Sequence, residues 1–293
     1  MFVNAIENAQ RFTRPIHTIV RYFGSSQVLP SAATLFFVNS DGWALTCRHV
    51  AENIRAAEEL GEKYSNYKSE LSTLSGATKK QRKQLQKKYG FAKANVVEMK
   101  HRFMNCGDGN LHIEVTMHPH YDLALIKFSG YESLKVSSFP QFPSAPAELK
   151  PGRFLCRIGF PFPEFSNFEY LEDEDSIEWT SQGRISSPIF PIEGMVTRNL
   201  SDSDGTIIGF ELSTPGLRGQ SGGPAFDADG RIWGIQAATA HWDLDFDVEK
   251  TVVRQGSEKS VKDYAFLHVG HCVHVEVMKQ FMRENEVAFE EAE

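Results

Sequence analysis

Gly219-Gln220-Ser221-Gly222-Gly223-Pro224 is the stretch on which the reading of this chain turns. A serine flanked by glycines can sit on a tight turn, because glycine lacks the Cβ that would block the close approach of another backbone. The string also satisfies Gly-x-Ser-x-Gly, a pattern that in one of its settings puts the serine at a sharp strand-to-helix turn. Pro224 argues against that setting. After it come Ala225-Phe226, a turn at Asp227-Ala228-Asp229-Gly230 and the strand-like run Arg231-Ile232-Trp233-Gly234-Ile235, so no helix follows the serine.

Outward from this motif the chain keeps a β character. Residues 18–23, 33–38 and 43–46 are short apolar runs, the last two separated by Asn39-Ser40-Asp41-Gly42, whose Asp-Gly pair is a hairpin signal. Residues 51–89 break the pattern, being rich in Glu, Lys, Gln, Ala and Leu with an interruption at Ser75-Gly76-Ala77-Thr78, and they predict two inserted helices. Strand patterning resumes at 111–115 and 123–128, a Pro- and Ser-rich linker spans 137–151, and further strands are expected at 154–159, 183–186, 207–212 and 231–235. Helical spacing returns in Val273, Val277, Phe281 and Val287. Two sets of strands joined by a linker predict a mainly β protein of two six-stranded antiparallel barrels. The expected division is an N-terminal barrel over 14–145 with a helical insertion at about 51–100, a second barrel over 146–270, and a C-terminal helix and tail over 271–293.

Composition excludes little. The chain has 293 residues, is 41% hydrophobic and carries a formal charge of -7, which speaks against a protein devoted to coating nucleic acid. No apolar run approaches the roughly 18 residues of a membrane helix, and residues 1–8 show no secretory leader, so the expectation is a cytoplasmic protein without a membrane partner. Four scattered cysteines, Cys47, Cys106, Cys156 and Cys272, suit neither a disulfide framework nor a zinc site.

Acyl transfer by a serine needs an exposed hydroxyl, a base and backbone donors for the developing oxyanion, and the amides of Gly219 and Ser221 are placed to be those donors. Trp43-Ala44-Leu45-Thr46-Cys47-Arg48-His49-Val50 and Tyr121-Asp122-Leu123-Ala124-Leu125-Ile126 add a histidine and an aspartate upstream. These stretches, in the order His49, Asp122, Ser221, resemble the chymotrypsin/trypsin-like serine peptidases, in particular the compact bacterial HtrA-like branch. The order differs from that of subtilisins and of α/β-hydrolases. Ala33 to Val38, Ile158-Gly159-Phe160-Pro161, Gly183-Arg184-Ile185-Ser186 and Gly234-Ile235 extend the similarity over most of 18–277, apart from the insertion.

The resemblance implies the chymotrypsin-like fold, a protein or peptide substrate, and no cofactor or metal. It makes Ser221 the nucleophile, His49 general base and then acid, and Asp122 the group that fixes the histidine tautomer. Two departures stand out. Gln220 replaces the aspartate that in activatable relatives pairs with a newly cut N-terminus, which predicts no activation by such a cut. Ala237 replaces a hydroxyl that supports the aspartate. The specificity pocket is expected between Thr214-Pro215-Gly216-Leu217-Arg218 and Gln236-Ala237-Ala238-Thr239. Pro215 stands where trypsins carry an acid, a medium apolar side chain is slightly preferred, and Asp263 is placed to approach the pocket.

Other features are read conservatively. The basic run at 79–88 is expected to be a solvated helix face, with a lid or a docking site for a regulatory protein on the 51–100 insertion as the sharper reading; nucleic acid is not expected. Asp243, Asp245 and Asp247 do not begin a calcium loop, because Val248 and Arg254 replace its Gly and Glu, and they suit a hairpin. His268, His271 and His274 could share a helix face. Besides an active endopeptidase, two readings stay open: a weak or inactive fold used as a protein-binding module, and an enzyme held inactive until a partner binds the insertion.

Overall fold

The computed structural model describes residues 1–74, 76, 78–144, 148–254 and 256–292. Helix α1 (Val3–Gln10) leads into strands β1 (Thr13–Tyr22), β2 (Val28–Phe37) and β3 (Trp43–Thr46), then helices α2 (Arg48–Thr73) and α3 (Lys79–Tyr89), and strands β4 (Val96–Phe103), β5 (Gly107–Met117) and β6 (Ala124–Leu134). The six strands form one antiparallel sheet in the order β4-β1-β2-β3-β6-β5. The β2–β3 turn is fixed by Asn39, whose Oδ1 accepts from the amides of Asp41 and Trp43 at 3.0 and 3.4 Å.

The second half contains β7 (Gln141–Pro143), β8 (Phe154–Arg157), β9 (Phe168–Leu171), β10 (Ser176–Trp179), β11 (Ile192–Ser201), β12 (Ile207–Leu212), β13 (Pro224–Phe226), β14 (Ile232–Arg254) and β15 (Ser257–His274), followed by α4 (Val275–Glu284) and β16 (Glu290–Ala292). Strands β11-β12-β15-β14-β13-β8 close into a barrel, and β16 returns to pair parallel with β7. The protein is thus mainly β, with the two-part architecture of a chymotrypsin-like fold. One continuous core runs through both halves, from Phe36, Phe37 and Phe128 to Phe210, Phe226 and Ile235. Each such side chain contributes about 1.5–3 kcal/mol by leaving water. No helix among the described residues is long and apolar enough to cross a membrane.

Several local expectations need correction. The two inserted helices end at Tyr89, as expected, but the rest of the 51–100 insertion is not helical, since Val96–Phe103 is an edge strand of the first sheet. Helix α2 begins at Arg48, earlier than expected, so His49 lies in its first turn. Residues 183–186 form no strand. His268 and His271 lie on β15, and only His274 touches the final helix, as its N-cap. That helix occupies Val275–Glu284, with the buried Val287 beyond its end. Residues 145–147, where the division between the halves was expected, lie outside the described residues, as do Ser75 and Ala77 of the interruption between the two helices.

The inserted helices have clear local causes. Thr78 and Gln81 form a reciprocal capping box at the start of α3, and Gly90 ends it at φ +68°. Tyr64, Tyr67, Leu85 and Phe91 form a separate small core with Val97 of β4. The rest of the basic run faces solvent, and Lys88 pairs with Glu70 of α2 at 2.6 Å. At the other end of the molecule, β14 and β15 run on together as an exposed ribbon that carries Asp243, Asp245 and Asp247.

Candidate active site

The short strand β3 delivers Cys47 to the N-cap of α2, which places His49 over the loop between β5 and β6. There His49 Nδ1 lies 2.8 Å from Asp122 Oδ2 and 3.1 Å from Oδ1, and the His49 amide donates to Oδ1 at 3.0 Å. The loop that holds Asp122 is built by its neighbours. His118 Nδ1 accepts from the amides of His120 and Tyr121 at 3.1 and 3.0 Å. Arg48 Nη1 donates to the carbonyls of His118 and Pro119 at 3.1 and 2.8 Å.

The electrostatics follow from this contact. The Asp122 hydrogen bond holds the His49 pKa above its ordinary 6.5, outweighing the opposing effect of burial. Burial pushes Asp122 up, but the bonds it accepts from the His49 ring and from the amides of His49 and Arg48 outweigh it, so its pKa lies below the usual carboxylate range. Cys47 lies close enough that its Sγ, His49 and Asp122 each offer an atom within 4.8 Å of the others. Its thiol instead donates to Gln236 O at 3.1 Å, and burial holds its pKa well above the ordinary value, so it floors the pair as a neutral group.

Ser221 reaches the same cleft from the second barrel. Its backbone turn is imposed by contact: Gly222 has φ +88°, and a Cβ there would lie 2.0 Å from the Thr34 carbonyl. Thr34 of β2 ties the halves together, with its amide donating to Ser221 O at 2.9 Å and its Oγ1 to Gly219 O at 2.7 Å. Along the turn the amides of Gln220, Gly222 and Gly223 donate to Leu217 O, Gln236 O and Gln220 O at 3.0, 2.9 and 2.8 Å. Among the described residues, the amides of Gly219 and Ser221 donate to no protein acceptor. A pair of free N–H groups flanking a serine can receive an anionic oxygen.

His49, Gly219 and Ser221 line one cavity of about 220 Å³ together with Ala33, Val50 and Arg218. The Ser221 hydroxyl donates to the Ala237 carbonyl at 3.5 Å and makes no hydrogen bond to His49. Pro215, Gly216, Gln236, Ala237, Ala238 and Thr239 line a second cavity of about 530 Å³ that also reaches Ser221. Asp263 is not among its lining residues; it lies on the β15 ribbon, paired with Lys250 at 3.2 Å.

The model of the trypsin-like peptidase domain matches residues 33–235. This chain belongs to that family. No curated protein sequence matches it. Within a trypsin-like peptidase the two departures noted above acquire a physical setting. The Gln220 side chain is fully buried, accepts from Leu217 N at 3.0 Å and donates to Phe190 O at 3.1 Å, so both ends of its amide are engaged by the chain. At Ala237 the side chain is a methyl with no hydrogen-bonding group, while the backbone carbonyl accepts from the Ser221 hydroxyl at 3.5 Å. Motif reading missed Thr34, His118 and Arg48, which act on the site through backbone groups. Arg48, next to His49, and Thr34, within the Ala33 to Val38 stretch, carried a signal in their positions, whereas His118 carried none.

Proposed function

We propose that the chain is a serine endopeptidase working through an acyl-enzyme. Ser221 Oγ leaves Ala237 O for His49 Nε2 and attacks the peptide carbonyl carbon as its proton passes to the imidazole. The tetrahedral oxyanion is received by the Gly219 and Ser221 amides. His49 then gives the proton to the departing amine as the C–N bond breaks, and water attacks the acyl-enzyme by the same route. Asp122 fixes the tautomer with Nδ1 protonated and stabilises the imidazolium. The observation that carries this reading is the convergence of an aspartate-held histidine and two unpaired amides on one serine.

The motif stretches favour the HtrA-like branch within the family. The four cysteines are free and buried, which favours a reducing compartment such as the cytoplasm. The engagement of Gln220 at both ends favours a nucleophile loop ordered without a cut N-terminus. The helical insertion is our candidate for a regulatory protein contact, since the first turn of α2 carries His49 and lines the cleft.

The resting bond from Ser221 to Ala237 also favours a second reading, a weak or inactive fold that binds proteins. Labelling of the purified protein by a fluorophosphonate, with Ser221→Ala as control, separates them. Labelling that disappears in the variant is expected. Absence of labelling would move the assignment to the binding module, and labelling restored by a cell extract would identify a partner-activated enzyme.

A further inference from the structure

Behind the 530 Å³ cavity lies a buried positive charge with no carboxylate against it among the described residues. Arg157 is fully buried on β8. Its Nη2 donates to Thr214 O at 2.9 Å, Thr214 Oγ1 at 2.7 Å and Pro215 O at 3.3 Å, its Nη1 donates to Gln236 Oε1, and its Nε has no acceptor. Every one of these partners is neutral. The groups whose charge would act on Arg157 are the thiols of Cys156 and Cys272, and burial pushes both up to about 12, so they stay protonated. The backbone makes room for this arrangement, because a Cβ at Gly270 would lie 2.0 Å from Arg157 Nη1. A desolvated guanidinium without a counter-charge is costly, and neutral acceptors repay that cost only in part.

The cavity wall adds one exposed cation, Arg218, to this buried charge. Gln236 and Pro215, which hold Arg157, both line it, and so do Arg218, His241 and His268, but among the described residues no Asp or Glu does. Arg218 is exposed and has no ion pair among the described residues. His241 and His268 face each other across the wall with their Nδ1 atoms 2.5 Å apart, so each is engaged by the other there. Glu211, whose charge reaches the adjacent His271, is already occupied by Arg198 at 2.6 and 3.0 Å.

We propose that this cavity accepts an acidic side chain, glutamate or aspartate, from the substrate residue whose carbonyl is attacked. Arg157 is the specificity-determining charge, transmitted through Gln236 and the Pro215 carbonyl, and Arg218 reinforces it at the exposed part of the wall. The inference rests on the endopeptidase reading of the same site and departs from the apolar preference expected of the sequence. It follows from charge, since an apolar or neutral side chain would leave Arg157 as unmatched as before, and a basic one would add repulsion.

The test uses peptides identical except for Glu, Gln, Leu or Lys at that position. Glu and Gln have nearly the same shape, so their ratio isolates the charge. Cleavage of the Glu peptide is expected to exceed that of the Gln peptide about tenfold in kcat/KM, corresponding to about 1.4 kcal/mol, with the ratio shrinking as salt is added. Arg157→Met is expected to bring the ratio near one. Should that variant fail to fold, Arg218→Gln, at an exposed position, is expected to lower it about threefold. Affinity of the same peptides for Ser221→Ala is read by calorimetry in parallel, with Glu again favoured. If the serine labels with fluorophosphonate but Gln, Leu or Lys matches Glu, the inference is overturned and the endopeptidase stands. If nothing labels or cleaves but Ser221→Ala still prefers Glu, the cavity assignment stands and the catalytic reading is overturned. Equal binding and no cleavage overturn both.

Discussion

Gln220 Nε2 donates to the Phe190 carbonyl at 3.1 Å, while its Oε1 accepts from the Leu217 amide at 3.0 Å. A neutral side chain thus braces the turn that presents the Gly219 and Ser221 amides. Gln220→Ala would leave a buried donor and a buried acceptor unsatisfied, at about 1–3 kcal/mol each. We expect a lower denaturation midpoint and a larger fall in kcat than in substrate affinity, because the oxyanion donors lose their support. Met1 is exposed, so a tag fused ahead of it should leave activity within about twofold. Loss of activity in the tagged protein would show that the free N-terminus matters after all.

The Asp122–His49 contact sets the pH dependence. His49 acts as a base only when neutral, and its hydrogen bond to Asp122 holds its pKa above 6.5. kcat/KM should therefore rise with pH, with the half-maximum of the acid limb above 6.5. Asp122→Asn removes the charge that favours the imidazolium, which should move the limb to lower pH while lowering kcat near neutrality by about 10⁴. A limb that stays in place in the variant would mean that another group titrates.

Stability should respond to acid through two other histidines. His17 and His274 are buried, and burial is the main reason that each is lowered to about 4; the Arg102 charge adds to the effect at His17, and Lys279 adds at His274. Both pKa values are depressed on folding, so between pH 6.5 and 4 the unfolded chain takes up protons that the folded chain refuses. Stability is full above about 6.5 and falls as pH drops towards 4, by roughly 3 kcal/mol per histidine. His274 Nδ1 accepts from the Glu276 amide at 3.2 Å, a cap that only the unprotonated nitrogen can make. His274→Asn keeps a capping acceptor without the titration, and its melting temperature should fall less between pH 7 and 5 than that of the parent.

What could be read from sequence divides along physical lines. His49, Asp122 and Ser221 sit in contiguous stretches whose turns and apolar runs are local, so pattern and order reveal them. Arg157 and Gln236 belong to strands far apart in sequence and meet only because β8 and β14 flank β13 in the closed barrel. Strand β4 escaped for another reason. Its Glu98 is buried only because Arg21 meets it at 2.6 Å, so a position facing the interior reads as a solvent-facing charge. The ribbon of β14 and β15 inverts the rule, carrying Phe246, Tyr264 and Phe266 in exposed positions.

Helix α2 meets the second half of the protein at one carboxylate that gathers several donors. Asp175, in the β9–β10 turn at φ +46°, accepts from Arg21 Nη1 at 2.9 Å and from Tyr170 Oη at 2.8 Å, and Tyr64 Oη of α2 donates to its other oxygen. Lys68 of α2 adds a bond to Glu174 O at 2.9 Å. Asp175→Ala strips three donors of their acceptor and puts a Cβ-bearing residue without a polar group in a left-handed conformation. The expected loss is about 2–4 kcal/mol, tempered because Arg21 keeps Glu98. Asp175→Asn, which tolerates the backbone and keeps one acceptor, should cost about half as much. Since Tyr64 acts through Asp175, Tyr64→Phe should cost about 1 kcal/mol alone and almost nothing in the Asp175→Ala background. Additive losses in that cycle would place the attachment of α2 in the aromatic cluster of Tyr67 and Phe91 instead. Faster amide exchange along α2 in Asp175→Ala, with the second barrel unchanged, would identify the carboxylate as the tie.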